Sequence, residues 1–224
     1  MNIHKTSFSN HAKRISDYFE MCCFNYVVRF YKEKGYKVSI ENLQDGKYRY
    51  KCSTQGNHNN FSNFKISKQL SDQAHEFEIH HNLAVESSHE AKIYTTPDIV
   101  IIKYGSIEID ADFYQGVKKL SFVANENMIT FCEVKQFHPF PELIFNFIGT
   151  VNELKHPIMT GTHGPLTPKH IAPSLMISGK PNTHADKIKI SLEGRYNINV
   201  LYDLFSPSNN PFRRYHLWKI KTMK

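Results

Sequence analysis

Two short apolar runs interrupted by charge constrain this chain more than any other feature. Val100, Ile101 and Ile102 follow Pro97-Asp98, and Phe131, Cys132 and Val134 enclose Glu133 next to Lys135. Short runs rich in β-branched and aromatic residues read as buried strands. Side chains two apart on a strand share a face, so Glu133 and Lys135 point the same way. Phe131, Cys132 and Val134 leave neither face polar, which reads as a central strand. A carboxylate and an ammonium held there cost free energy unless something uses them.

The residue types suggest a use. Asp98 and Glu133 are hard oxygen donors of the kind that hold a divalent metal, and magnesium takes one or two carboxylates while keeping several waters. The Val134 carbonyl, between Glu133 and Lys135, is placed to be a third oxygen ligand. Lys135 beside the ion would orient or deprotonate a water and stabilise developing negative charge. This is the chemistry of phosphodiester hydrolysis. The E-x-K string alone carries little, since it occurs at Glu90–Lys92, Glu133–Lys135 and Glu153–Lys155. Only the middle one lies on an apolar strand. The plain alternatives are that Asp98 merely starts a strand and that Glu133 and Lys135 form a surface ion pair.

The periodicity supplies a frame around these strands. Ile15, Tyr18, Phe19, Cys22, Tyr26 and Phe30 recur at helical spacing between about Ser9 and Lys34, with Glu20 beside that face and Gly35 as a stop. Tyr36, Val38 and Ile40 alternate as a strand. Residues 41 to 74 read as a polar, solvated insertion, with Lys47–Ser53 and Phe61–Ser67 as a possible hairpin. Lys47, Arg49, Lys51 and Lys65, interleaved with aromatics, suggest a backbone-contacting surface. A long strand is expected over Glu76–Glu86, pairing with Asp98–Ile102, with Glu78 on its polar face. Further strands are expected around Ile107–Ala111, Leu120–Val123 and Ile129–Phe137. Phe140, Leu143, Ile144, Phe147, Ile148 and Val151 make an amphipathic helix, and residues 155 to 169 a loop. Ser174–Ile177 is a strand, Asn182 caps a helix to about Leu192, and Tyr196, Ile198 and Val200 alternate once more. The order implies an α/β fold: a mixed central sheet flanked by helices.

The chain reads as a single domain of 224 residues, with a core over about 10–205 and a basic tail over about 206–224. The formal net charge of +7 favours a polyanionic partner. No stretch approaches a membrane span, the N-terminal residues lack a signal-like apolar core, and the four cysteines form no C-x-x-C pair, so a reduced, cytoplasmic setting is expected. The thirteen histidines have no zinc-like spacing.

Pro97-Asp98 together with Glu133-Val134-Lys135, set between two helices, resembles the PD-(D/E)xK nuclease superfamily with its restriction-endonuclease-like fold. The resemblance covers roughly residues 10 to 178 and implies an αβββαβ core with insertions. It implies a Mg²⁺-dependent DNA endonuclease, with Mn²⁺ as a substitute ion, catalytic Asp98, Glu133 and Lys135, and a restriction or anti-phage defence role. Many members carry a glutamate in the first helix; here Tyr18-Phe19-Glu20 looks like that segment, which makes Glu20 the third acid, with Glu78 as the competing choice. Double-strand cutting would call for a homodimer. A non-catalytic nucleic-acid-binding or assembly module, or a nuclease for RNA or branched DNA, stands as the alternative.

Overall fold

The computed structural model describes residues 15–71, 73–113, 119–162, 164, 167–204 and 219–223. The chain divides into two compact units, Met1–Ile129 and Thr130–Lys224. The architecture is mixed α/β, with multi-stranded sheets flanked by helices.

The first unit opens with helix α1, Ile15–Glu33. Its buried face is carried by Phe19, Cys23, Phe24, Tyr26, Val27, Phe30 and Tyr31. The core-facing stripe is therefore wider than the expected one and rotated from it, because Ile15, Tyr18 and Cys22 are exposed. Strands β1 (Lys37–Glu41), β2 (Asn63–Leu70), β3 (Gln73–His81) and β6 (Ile99–Lys103) lie side by side in that order. Each neighbouring pair is antiparallel, and β3 meets β6 with His81 opposite Ile99 and Glu78 opposite Ile102. A smaller sheet holds β5 (Tyr94–Thr95), β4 (Ala84–Glu86), β8 (Leu120–Val123) and β7 (Ile107–Asp110), in that order.

Two expectations for this half need correction. The 41–74 segment is not a solvated insertion with its own hairpin: β2 belongs to the main sheet between β1 and β3, and residues 48–54 carry no strand. Tyr48, Tyr50 and Lys51 are buried. The tyrosines pack with Phe24 and Phe64 in an aromatic cluster whose ring centroids lie 4.6–6.4 Å apart. The apolar face those rings supply pulls the segment inward, and Lys51 follows, while Lys47 stays exposed. Lys51 is enclosed, Arg49 lies over the Phe61 ring, and Lys65 sits over Tyr104 while bridging to Glu76 at 2.8 Å. The Glu76–Glu86 run is also not one strand. It breaks at Asn82, whose φ of 51° is left-handed, and the remainder joins the smaller sheet as β4.

The second unit is a parallel layout. Strand β9 (Met128–Lys135) begins at the end of the first unit and runs into the second. It pairs in parallel with β10 (Ser174–Ile177), which pairs in parallel with β11 (Asn199–Leu201). Helix α2 (Pro141–Thr160) connects β9 to β10, as parallel pairing requires a crossover. It buries Ile144, Phe147, Val151, Leu154 and Ile158, and continues to Thr160 through a kink at Lys155 where a loop was expected. Buried Leu154 and Ile158 flank the break, and the non-helical backbone at Lys155 leaves Pro157 in the first turn of the segment that follows. Helix α3 (Thr183–Arg195) starts where Asn182 Oδ1 accepts the Ala185 N–H at 2.8 Å. Most of the expected basic tail lies outside the described residues. No helix among the described residues is long and apolar enough to cross a membrane.

Candidate functional site

In the second unit, β9 presents Glu133 and Lys135 on one face, as the period-2 pattern requires. Phe131, Cys132 and Val134 are buried around them. Leu175 and Ile177 of β10 stand opposite Glu133 and Lys135 in the ladder. Lys135 Nζ lies 2.8 Å from Glu133 Oε2, with side-chain exposures of 32% and 14%. The pair thus has apolar strand on its flanks and water on its outer side. Beyond it, the Gly179 N–H donates to the Phe137 carbonyl at 3.0 Å and Ser178 N–H to the Lys135 carbonyl at 3.2 Å, which fixes the strand exit.

In the first unit, Asp98 follows buried Pro97 at the start of β6. Its carbonyl accepts the Asn82 N–H at 3.0 Å. Asn82 is itself clamped by the enclosed Lys51. The Lys51 ammonium donates to the carbonyls of Asn82 and, at 3.0 Å, of Thr54, while the Asn82 carboxamide donates to the Lys51 carbonyl at 2.8 Å. Burial pushes Lys51 down to about 8. His81, next to Asn82, is 3% exposed and packs on Phe24 and Tyr50. Burial, then the Lys51 charge, push its imidazole down to about 3, so the ring is neutral at pH 7. Its Nε2 is 3.6 Å from Glu20 Oε2. Glu20, Asp17, Asn82 and the Cys52–Thr54 loop line a cavity of about 390 Å³. Burial, then Asp17 and Glu20, push the Cys52 thiol up to about 12, which keeps it protonated and unreactive.

Glu78 is placed elsewhere. It shares the opposite face of β3 from His81 and stands across from Ile102, four residues along β6 from Asp98. That is about 13 Å along the strand. Its Oε2 meets His80 Nε2 at 2.5 Å and its Oε1 accepts the Gly105 N–H at 3.0 Å. Burial alone would raise the Glu78 carboxyl, but His80, Gly105 and His58 together hold it below its ordinary value. Of the two competing glutamates, Glu20 is the one whose cavity includes Asn82, the residue bonded to Asp98.

Among the described residues no three His, Cys, Asp or Glu side chains gather in a group that could hold a metal ion. A magnesium site asks for less, one or two carboxylates with waters, and Asp98 and Glu133 are oxygen donors of the right kind. The residues that periodicity did not reveal are Lys51, His81 and Asn82. A lysine following an alternating Tyr48-Arg49-Tyr50 run and an Asn within the alternation of 76–86 were the only traces they left. No protein-family model, curated protein or solved structure matches this chain.

Proposed function

We propose that the chain is a metal-dependent endonuclease that hydrolyses DNA phosphodiester bonds, in the manner of the PD-(D/E)xK nucleases. The observation that carries this reading is the Glu133–Lys135 pair, 2.8 Å apart on one face of an otherwise apolar strand. Mg²⁺, or Mn²⁺ in its place, would be held by Asp98 and Glu133, with the Val134 carbonyl and Glu20 as further oxygen donors. The ion would supply Lewis-acid stabilisation of the phosphoryl oxygens. Lys135 orients the attacking water and, as an ammonium, offsets the growing negative charge; to take the water's proton it would first have to pass its own to the Glu133 carboxylate. The Lys51–Asn82 clamp fixes the backbone at Asp98. The net charge of +7 suits a DNA partner, and a homodimer would cut both strands. Restriction or defence is the setting this chemistry fits.

Plasmid DNA incubated with the protein and Mg²⁺ or Mn²⁺ provides the test. Cleavage by the wild type, its loss in Glu133→Ala and Lys135→Ala, and its fall in Glu20→Gln but not Glu78→Gln are the expected results. DNA retained in a gel shift without cleavage under either metal would show a non-catalytic binding module. Activity that survives Glu133→Ala would move the site, and RNA or four-way junctions cut in preference would change the substrate.

A further inference from the structure

The cavity served by Glu78 is separate from the one lined by Glu20. It holds about 500 Å³, within the range of small-molecule sites, and most of the side chains that line it are polar: Glu41, Glu78, His58, His80 and the asparagines 42, 59 and 63, beside Gly105 and Ile107. Two carboxylates in that wall disfavour a phosphate or carboxylate ligand. Among the described residues no metal-holding group of three forms there or elsewhere. The ligand is therefore one that offers N–H donors to carboxylates and also has acceptors for carboxamides.

The hydrogen bonds say which groups remain to meet it. Both oxygens of Glu78 are engaged, one by His80 at 2.5 Å and one by Gly105 N–H at 3.0 Å, so this carboxylate orients the imidazole and forms the wall. Glu41, at the end of β1, receives a long 3.4 Å bond from the Tyr104 hydroxyl on Oε1, which leaves acceptor sites on both its oxygens. The Asn42 carboxamide is spent on holding the Asn59 and Phe61 carbonyls, at 2.8 and 2.6 Å. Asn59 and Asn63 supply the remaining carboxamides. His58 Nδ1 is tied to Ser121 Oγ at 3.1 Å, which leaves Nε2 as its available ring nitrogen. Burial, then His80, hold His58 below its ordinary value, so it adds no charge.

We propose that this cavity recognises guanine: Glu41 accepts the adjacent N1–H and N2–H₂ donors, and the Asn59 and Asn63 carboxamides meet O6 and N7. Among the neutral bases guanine alone presents a ring N–H beside an exocyclic amine, the pair that a carboxylate accepts in bidentate fashion. Adenine and cytosine present one amine beside an acceptor, which would face the carboxylate lone pairs. The site goes beyond the catalytic reading and stands without it, since base binding is read directly.

Isothermal titration of the full chain with guanosine, adenosine, cytidine and uridine tests the proposal, with guanidinium chloride and inorganic phosphate as further probes. Guanosine is expected to bind at least tenfold more tightly than the other three nucleosides. Glu41→Gln should cost at least tenfold, about 1.4 kcal/mol, with the thermal unfolding curve retained because Glu41 lies on the edge strand β1. Equal binding of all four nucleosides, no binding of guanosine, guanidinium or phosphate bound in its place, or full affinity in a folded Glu41→Gln would each overturn it. If Glu41→Gln does not fold, the nucleoside ranking on the wild type decides alone.

Discussion

Gly179 offers the sharpest test of the packing around β9. A Cβ built there would stand 2.6 Å from the Phe137 carbonyl oxygen and 2.8 Å from His138 Cα, both backbone atoms. Ordinary contact begins near 3.4 Å, so Gly179→Ala must push the main chain apart by most of an ångström. The bond from Gly179 N–H to that same Phe137 carbonyl, 3.0 Å long, is strained by the same shift. Overpacking of this kind costs about 1–3 kcal/mol, which lowers Tm by roughly 2–12 °C for a protein of this size. Gly149 is the matched control. It lies on the exposed side of α2, and a Cβ there meets nothing within 4 Å. Gly149→Ala should gain about 1 kcal/mol from helix propensity alone. Thermal unfolding by circular dichroism at one protein concentration compares the two. The reasoning fails if Gly179→Ala melts with the wild type, or if Gly149→Ala melts below it.

Three further outcomes follow from the geometry. Asn182→Ala removes the acceptor of the Ala185 N–H at the start of α3 and should cost about 1 kcal/mol in urea unfolding; no loss would deny the cap an energetic role. His81 has a folded pKa near 3, below its ordinary 6.5. The unfolded chain therefore binds the extra proton first, and stability, full above 6.5, declines as pH falls from 6.5 toward 3. His81→Phe should flatten that limb of a Tm-against-pH curve, and an unchanged slope would assign the acid sensitivity elsewhere. Lys51, at about 8 against an ordinary 10.5, works in the same sense at higher pH. Between 8 and 10.5 the unfolded chain holds the proton that the folded one has lost, so this residue makes stability rise across that window. Lys51→Met should remove the rise and lower stability at neutral pH by stranding the Asn82 and Thr54 carbonyls; a rise that persists would locate it in another group.

The sequence made the elements of the second unit readable because their signals are local. The β9 run, the i, i+3, i+4 stripe of α2 and the Asn182 cap each lie within a few residues of what they determine. The Glu133–Lys135 pair was readable for the same reason, since period 2 alone puts both on one face. The first unit hid more. The burial of Lys51 depends on Tyr48 and Tyr50 finding Phe24, more than twenty residues away. The end of β3 depends on Asn82 turning left-handed, which polar alternation through Glu86 masks. Glu78 and Glu20 competed as letters, and nothing local in the sequence says that one would face His80 and Gly105 while the other lies near His81. The helix does break at Lys155, but a further helical turn with buried Ile158 follows where the Pro and Gly residues read as loop.

The ladder between β1 and β2 closes with Glu41 opposite Asn63. Two antiparallel strands so registered can be joined by a tight turn of two residues, yet the chain travels from 42 to 62 before returning to the same hydrogen-bonded edge. Long excursions inside a compact unit are uncommon unless they serve a purpose. This one reaches both cavities, contributing Cys52, Ser53 and Thr54 to one and Asn42, His58 and Asn59 to the other. The excursion is thus surplus to the β1–β2 register and integral to the sites. Replacing 42–62 by Asn-Gly would satisfy the β1–β2 register yet strip one wall from each cavity and take Tyr48 and Tyr50 from Phe24 and Phe64, so the same segment that builds the sites also closes the core.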